Sequence, residues 1–206
     1  MLGRVYFCRP MPTEGRLIIV SAPSGAGKTT LVHHLLAQPA LGLRFSVSAT
    51  SRPMRQGEVD GRDYFFVTPE RFKEKVAAGD FLEWEEVYPG RLYGTLRSEV
   101  DAMLQRGEHV IFDVDVVGGL NIKKAYGPRA LAVFIQPPSL DALRQRLESR
   151  NTEDALTLAT RIGKATHELS FGPQFDTVVV NDDLTRAKAE IGRKVAEFLD
   201  QGLAEQ

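Results

Sequence analysis

Cysteine is almost missing from this 206-residue sequence. Cys8 stands alone, so no intrachain disulfide can form and nothing points to an oxidising compartment. Charge of one sign is not in excess either. Lys and Arg number 26 against 27 Asp and Glu, a net charge of -1. That balance excludes the broad positive field with which general nucleic-acid binders displace counterions; any basic focus must be local. Long apolar runs are also lacking. The longest, Ala130–Ile135, falls far short of the ~20 residues that span a bilayer, and no apolar stretch of signal-peptide length opens the chain. The expectation is a cytoplasmic chain with neither nucleic-acid nor membrane partners.

What is present suits a globular protein. Apolar residues make up 43% and charged residues 26%, the balance of an ordinary soluble domain. At ~150 residues per domain, the length favours one domain with inserted subregions. Residues 1–15, with Pro10, Pro12 and no periodicity, read as a flexible N-terminal extension, with Met11 as an alternative start. From Arg16 onward, apolar runs alternate with helical spacing. Leu17–Ser21, His109–Val114, Ala130–Ile135 and Val178–Val180 read as buried strands. Helices are expected at Gly27–Gln38, from Thr95 or Ser98 to Gly107, through Asn121–Ala125, from Ser139 to about Arg150, at Asp154–Leu169 and at Leu184–Leu199. Strands buried on both faces and joined by crossover helices mean a parallel sheet in an α/β fold. The middle of the chain differs. Phe45–Ser48, Tyr64–Val67, Phe81–Val87 and Leu92–Tyr93 are short strands, and the helix among them is capped by Thr68, opened by Pro69 and ended by Gly79. This predicts an inserted lobe at about 48–96, a helical lid at about 139–169, and a core made from about 16–47, 97–138 and 170–206.

The sharpest motif is Ala22-Pro23-Ser24-Gly25-Ala26-Gly27-Lys28-Thr29, set between a strand and a helix. Backbone N–H groups from Gly25 to Thr29 can converge on one anion, helped by the helix N-terminus. Lys28 can reach the β- and γ-phosphates of a nucleoside triphosphate, and the Thr29 hydroxyl can meet Mg²⁺. Ala22 departs from the full pattern, which has glycine there. Such a loop identifies the phosphate donor site and says nothing of the acceptor. For the acceptor, Arg52 and Arg55 lie in a loop punctuated by Pro53 and Gly57, followed by Tyr64, Glu83 and Tyr93-Gly94-Thr95. Two guanidinium groups and two phenols suit one phosphate monoester; singly, the same residues read as solvated loop charges and core aromatics. Arg146 and Arg150 lie four apart on one helix face and Arg161 on the next helix, which alone is an ordinary charged surface.

Taken in order, these motifs resemble the guanylate kinase family. Ser46 and Ser48, the run Thr50 to Glu58, Asp63-Tyr64, Tyr93-Gly94-Thr95, Asp113-Val114-Asp115 and Asn181-Asp182-Asp183 carry the resemblance, which runs from about Leu17 to about Leu199. It implies a P-loop NTPase-type parallel sheet flanked by helices, with a GMP-binding lobe and a lid. It implies ATP and GMP as substrates, GDP and ADP as products, and a place in purine nucleotide metabolism, with dGMP as a further acceptor. It assigns the GMP phosphate to Arg52, Arg55, Tyr64 and Tyr93, and the guanine to Ser48, Glu83, Thr95 and Asp113. It assigns the transferring phosphoryl group to Lys28, Arg146, Arg150 and Arg161. Mg²⁺ would meet Thr29, with Asp113 or Asp115 acting through water. The expected state is a monomer or homodimer. Three positions depart from the family pattern: Ala22, which the family tolerates; Asn151 for a hinge glycine; and Val117-Gly118-Gly119 for glutamine-glycine. Two rivals remain, a kinase for AMP, CMP or dTMP and a non-catalytic interaction module. The Arg52/Arg55 loop with Glu83 and Tyr93 argues against the first, and Lys28, Thr29 and the three lid arginines against the second.

Overall fold

The computed structural model describes residues 14–148 and 155–204. In chain order the helices and strands are β1 (Leu17–Ser21), α1 (Lys28–Leu36), β2 (Leu43–Phe45), β3 (Ala49–Thr50), β4 (Phe65–Phe66), α2 (Pro69–Ala78), β5 (Phe81–Tyr88), β6 (Arg91–Leu96), α3 (Arg97–Gln105), β7 (His109–Asp113), α4 (Val116–Tyr126), β8 (Ala130–Gln136), α5 (Leu140–Glu148), α6 (Ala155–Leu169), β9 (Thr177–Val180) and α7 (Leu184–Ala204). Five strands form a parallel sheet in the order β2-β7-β1-β8-β9. β1 lies at its centre and every one of its residues is buried. Alternation then divides its side chains. Ile18 and Val20 pack toward α1 and α7, while Leu17 and Ile19 pack toward α3 and α4. A strand enclosed by helices on both faces needs this unbroken apolar run, which is why it was legible as parallel.

A second sheet, ordered β4-β3-β6-β5, mixes one parallel pair with two antiparallel ones. Its small core centres on Phe72 of α2, fully buried and stacked on Phe81 with ring centroids 4.4 Å apart. The α2 boundaries follow the sequence signals. Thr68 Oγ1 accepts the N–H of Arg71, and Gly79 closes the helix at φ 74. Helices α5 and α6 pack together through Leu143, Leu147 and Ala165.

The structure redraws several expected boundaries. Phe45–Ser48 is not one strand: the chain leaves the parallel sheet at Phe45 and joins the small sheet at Ala49, with Ser46 to Ser48 as the crossing. Thr95 does not open a helix. It pairs with Glu83 in β6, and α3 starts at Arg97. Helix α4 begins well before Asn121, because the Asp115 carboxylate accepts the N–H groups of Val117 and Gly118 and caps it. The glycine pair that hid this helix is needed by packing. A Cβ at Gly118 would lie 3.2 Å from Glu83 Oε2, and one at Gly119 would collide with Ser21 Oγ. Glu14 and Gly15, read as the end of the extension, belong to the packed structure. Glu14 pairs with Arg129 at 3.0 Å, and the Gly15 N–H donates to the Leu104 carbonyl. Residues 1–13, and with them Met11 and Cys8, lie outside the described residues.

Candidate active site

The phosphate loop occupies residues 22–27, between the end of β1 and the start of α1. Gly25 and Gly27 adopt φ of +88 and +97, which only glycine takes without strain. The loop is braced from behind. The buried Asn181 donates its side-chain amide to the Ala26 carbonyl at 2.7 Å and sits where a Cβ on Gly27 would go. Arg146 of α5 in turn donates to the Asn181 carbonyl at 2.8 Å. One expected lid arginine is thereby placed beside the loop, at the rim of a cavity of about 460 Å³ that Gly25, Thr30 and Asp182 also line.

Lys28 and Thr29 are both held by Asp113 at the end of β7. Lys28 Nζ lies 2.7 Å from Asp113 Oδ1 and donates to the Val114 carbonyl at 2.8 Å, and the Thr29 hydroxyl donates to Asp113 Oδ2 at 2.9 Å. Asp113 thus meets the phosphate loop, where the family resemblance also gave it guanine to read. The three side chains and Asp115 border a cavity of about 320 Å³. Among the described residues no group of three or more His, Cys, Asp or Glu could hold a metal ion. The donor chemistry still fits Mg²⁺, which takes one or two hard protein oxygens and completes its shell with phosphates and water. Thr29 and Asp113 present such oxygens side by side.

The neighbouring cavity, about 200 Å³, is bordered by Glu83, Trp84 and Glu85 of β5, Asp115 and Gly118 at the start of α4, and Glu168 of α6. Glu83 is 9% exposed and accepts the Thr95 hydroxyl at 2.6 Å. Burial pushes its carboxyl up to about 7; Asp115 and Glu85 add to the rise and the Thr95 hydrogen bond opposes it. Burial also raises Glu85, with Asp115 as a second cause. Asp115 and Glu168 border both this cavity and the phosphate-loop cavity, so the two adjoin.

Arg52, Tyr64 and Tyr93 cluster on the small sheet, outside both cavities. The Arg52 guanidinium is buried over the rings of Tyr64 and Phe66, at 5.0 and 5.5 Å. Glu58 grips it with two hydrogen bonds, of 2.7 and 2.5 Å, and accepts the Arg55 backbone N–H at 2.7 Å. The Arg52 hydrogen bond is the main reason the Glu58 carboxyl falls to about 2, and Glu58 holds Arg52 further above its ordinary value. The Arg55 side chain is exposed, and Ser48 is half-buried with its carbonyl accepting the Phe65 N–H. Arg161 is half-buried on α6. Arg150 and Asn151 lie outside the described residues. In the sequence, Glu58 and Asn181 stand within motifs that assign them no role. A carboxylate six residues after a candidate anion-binding arginine was the available signal for Glu58. Glu85 and Glu168 carried no such signal, since a single acid on a strand or helix reads as surface.

A phosphate loop at the carboxyl end of the central strand of a parallel sheet, adjoining a second cavity that contains a buried carboxylate, is the architecture of a P-loop nucleotide-binding protein. The comparisons give the particular family. A family model described as guanylate kinase matches residues 14–201. A guanylate kinase of Bacteroides fragilis is 54% identical over 186 residues, covering 90% of this chain and 91% of that protein. One from Porphyromonas gingivalis is 49% identical over 184 residues, covering 89% and 98%. The crystal structure of guanylate kinase from Anaplasma phagocytophilum superposes with a TM-score of 0.67 at 27% identity, covering 90% of this chain and 86% of that one. The chain belongs to the guanylate kinase family, and guanylate kinase activity is its function.

Proposed function

We propose that this chain transfers the γ-phosphoryl group of ATP to a phosphate oxygen of GMP, giving GDP and ADP, with the residues described above as its machinery. The observation that carries this assignment is the adjoining of two cavities, one built on Lys28 and the other on Glu83, across the shared Asp115 and Glu168. Guanine presents N1–H and an exocyclic N2 amine side by side, and an ionised Glu83 accepts both. Adenine offers no such pair, so AMP would leave buried acceptor oxygens unpaired. Thr95 holds Glu83 in place from β6. The small sheet is the acceptor lobe. There Arg52, with its plane fixed by Glu58, Tyr64 and Phe66, grips the GMP phosphate together with Arg55, Tyr64 and Tyr93. Asp113 acts at the phosphate loop in the free protein, and Ser48 keeps the guanine-reading role that the family resemblance implies.

The acceptor phosphate is already anionic near neutral pH, so the transfer needs no general base. Catalysis is positioning and charge neutralisation. Lys28 leaves Asp113 to meet the β- and γ-phosphates, and the loop N–H groups from Gly25 to Thr29 receive the β-phosphate. Thr29 would hold Mg²⁺, with Asp113 or Asp115 acting through water, and the ion would supply charge neutralisation on the ATP phosphates. Arg146, Arg150 and Arg161 belong to a lid of about 139–169 that closes over the transferring group and excludes water. We place the protein in the cytoplasm, as a monomer or homodimer, and expect dGMP to serve as an acceptor, since Glu83 reads the base. The test is a coupled assay of ADP formation with ATP, Mg²⁺ and each of GMP, dGMP, AMP, CMP and dTMP. GMP and dGMP should be turned over and the others should not. Equal turnover of AMP would refute the guanine assignment.

A further inference from the structure

Asn181 joins three parts of the fold at one residue. Its backbone N–H donates to the Gln136 carbonyl at the end of β8 at 2.8 Å, its carbonyl accepts Arg146 of α5 at 2.8 Å, and its side-chain amide donates to the Ala26 carbonyl at 2.7 Å. Both Asn181 and Ala26 are buried, so neither group can exchange the other for water without cost. Only the amide nitrogen can donate to a carbonyl oxygen, which fixes the way the side chain points. Gly27 completes the contact, because a Cβ there would collide with that nitrogen.

The consequence lies one bond further along the chain. The Ala26–Gly27 peptide is trans, and in a planar trans peptide the C=O and N–H point in opposite directions. With the Ala26 carbonyl held on Asn181, the Gly27 N–H is turned away from it. Gly27 stands between two cavities: the one of about 460 Å³ is lined by Asn181, and the one of about 320 Å³ is lined by Lys28 and Thr29. The held peptide therefore directs the Gly27 N–H to the Lys28 side.

We propose that Asn181 is a positioning residue for the donor nucleotide: by holding the Ala26 carbonyl it aims the Gly27 N–H at the β-phosphate. This inference rests on the reading of the loop as the ATP phosphate site. A donor already aimed costs no reorganisation when the anion arrives. Glycine at φ +97 leaves the backbone wide freedom, so without the brace the peptide turns and the phosphate loses that donor. Arg146 meets the backbone carbonyl of Asn181, so changing the side chain removes the brace and spares that contact.

The test reads the Gly27 amide directly. The sequence contains two Ala–Gly pairs, Ala26–Gly27 and Ala78–Gly79. Protein labelled with ¹³C at the alanine carbonyl and ¹⁵N at glycine therefore gives coupled amide signals for Gly27 and Gly79 alone, and Gly79, which closes α2, is the internal control. In the parent, saturating ADP should move the Gly27 amide proton downfield. The variants are Asn181→Ala and the near-isosteric Asn181→Asp, whose carboxylate cannot donate to Ala26. In both, the Gly27 shift at saturating ADP should fall to less than about half and KM for ATP should rise about 10- to 100-fold, the scale of one hydrogen bond to a charged group. The Gly79 signal and KM for GMP should be nearly unaltered. A Gly27 shift equal to the parent's overturns the proposal and leaves the loop assignment intact. An equal rise in both KM values also overturns it, since a general loosening does not select the donor. An unmoved Gly27 signal in the parent overturns the loop assignment as well. If Asn181→Ala does not fold, Asn181→Asp, which keeps the volume, decides alone.

Discussion

Lowering the pH from about 8 to about 6 is expected to weaken GMP binding while leaving ATP binding nearly constant, because Glu83 must ionise to accept two guanine donors. Burial has raised its carboxyl from 4.5 to about 7. The sign follows from linkage. The folded protein prefers the protonated form, so this group's contribution to stability is complete below about 4.5 and is lost as the pH rises through about 7, a change of about 3 kcal/mol in all. Guanine reverses the preference. Its N1–H and N2–H favour the carboxylate, so GMP binding releases a proton near neutrality, and affinity falls by up to about tenfold per pH unit below about 7. The only tryptophan, Trp84, borders the same cavity, so its fluorescence can report GMP binding without turnover. The GMP phosphate itself titrates near pH ~6, so the diagnostic comparison is with Glu83→Gln. That variant should bind GMP about 10- to 100-fold more weakly at neutral pH, having left a donor unpaired, and should keep only the phosphate's shallower dependence. An identical pH slope in parent and variant would refute the claim that Glu83 reads the base.

Three further outcomes are expected. Lys28→Ala should lower kcat by ~10²–10³ or more, the scale of losing one preorganised electrostatic contact; the coupled ADP assay checks it, and turnover within a few-fold of the parent would remove Lys28 from the mechanism. Glu58→Ala should raise KM for GMP about tenfold while leaving KM for ATP unaltered, since it frees the Arg52 plane by removing the charge-assisted hydrogen bonds that hold it; equal effects on both substrates would show that Glu58 acts elsewhere. Phe72→Ala should destabilise the small sheet by about 3–5 kcal/mol through the lost stack and the cavity left behind. Its readout is the denaturant midpoint, together with earlier loss of hydrogen-exchange protection in β3–β6 than in β1, and uniform loss would mean the two sheets unfold as one.

Most of the fold was legible because its signals are local. β1 was read to the residue, since a strand enclosed by helices must be apolar throughout, and α2 was bracketed by a capping threonine, a first-turn proline and a left-handed glycine. The failures share one cause, that tertiary contact overrode local preference. The Gly118-Gly119 pair argues against a helix in isolation, yet α4 needs both glycines to lie flush against Glu83 and Ser21. Thr95 is a good cap by composition, but cross-strand pairing with Glu83 keeps it extended. In the site, the phosphate loop is complete in eight consecutive residues, whereas Asn181 acts through Ala26, 155 positions away. Separations of that kind leave no mark in a linear pattern.

The acidity of the site also demands a physical account, since Glu83, Glu85, Asp115 and Glu168 line one cavity beside the phosphate loop, together with Lys164 and His167. Four full charges there would oppose both nucleotides, and a chain of net charge -1 has no general positive field to offset them. Burial resolves the conflict. It raises Glu83, Glu85 and Glu168 toward their neutral forms, so the walls of the cavity are less negative than their composition suggests. Asp115 spends its carboxylate on the first N–H groups of α4, and Asp113 on Lys28 and Thr29. Each acid is either shifted by burial toward its neutral form or occupied in orienting a donor. At Glu83 the charge is completed when a ligand brings the donors that stabilise it, as guanine does, and a ligand without those donors leaves the carboxyl shifted toward its neutral form. Desolvation thereby becomes a source of base specificity, because the carboxylate that would repel phosphate in the free protein ionises fully only after the correct base has arrived.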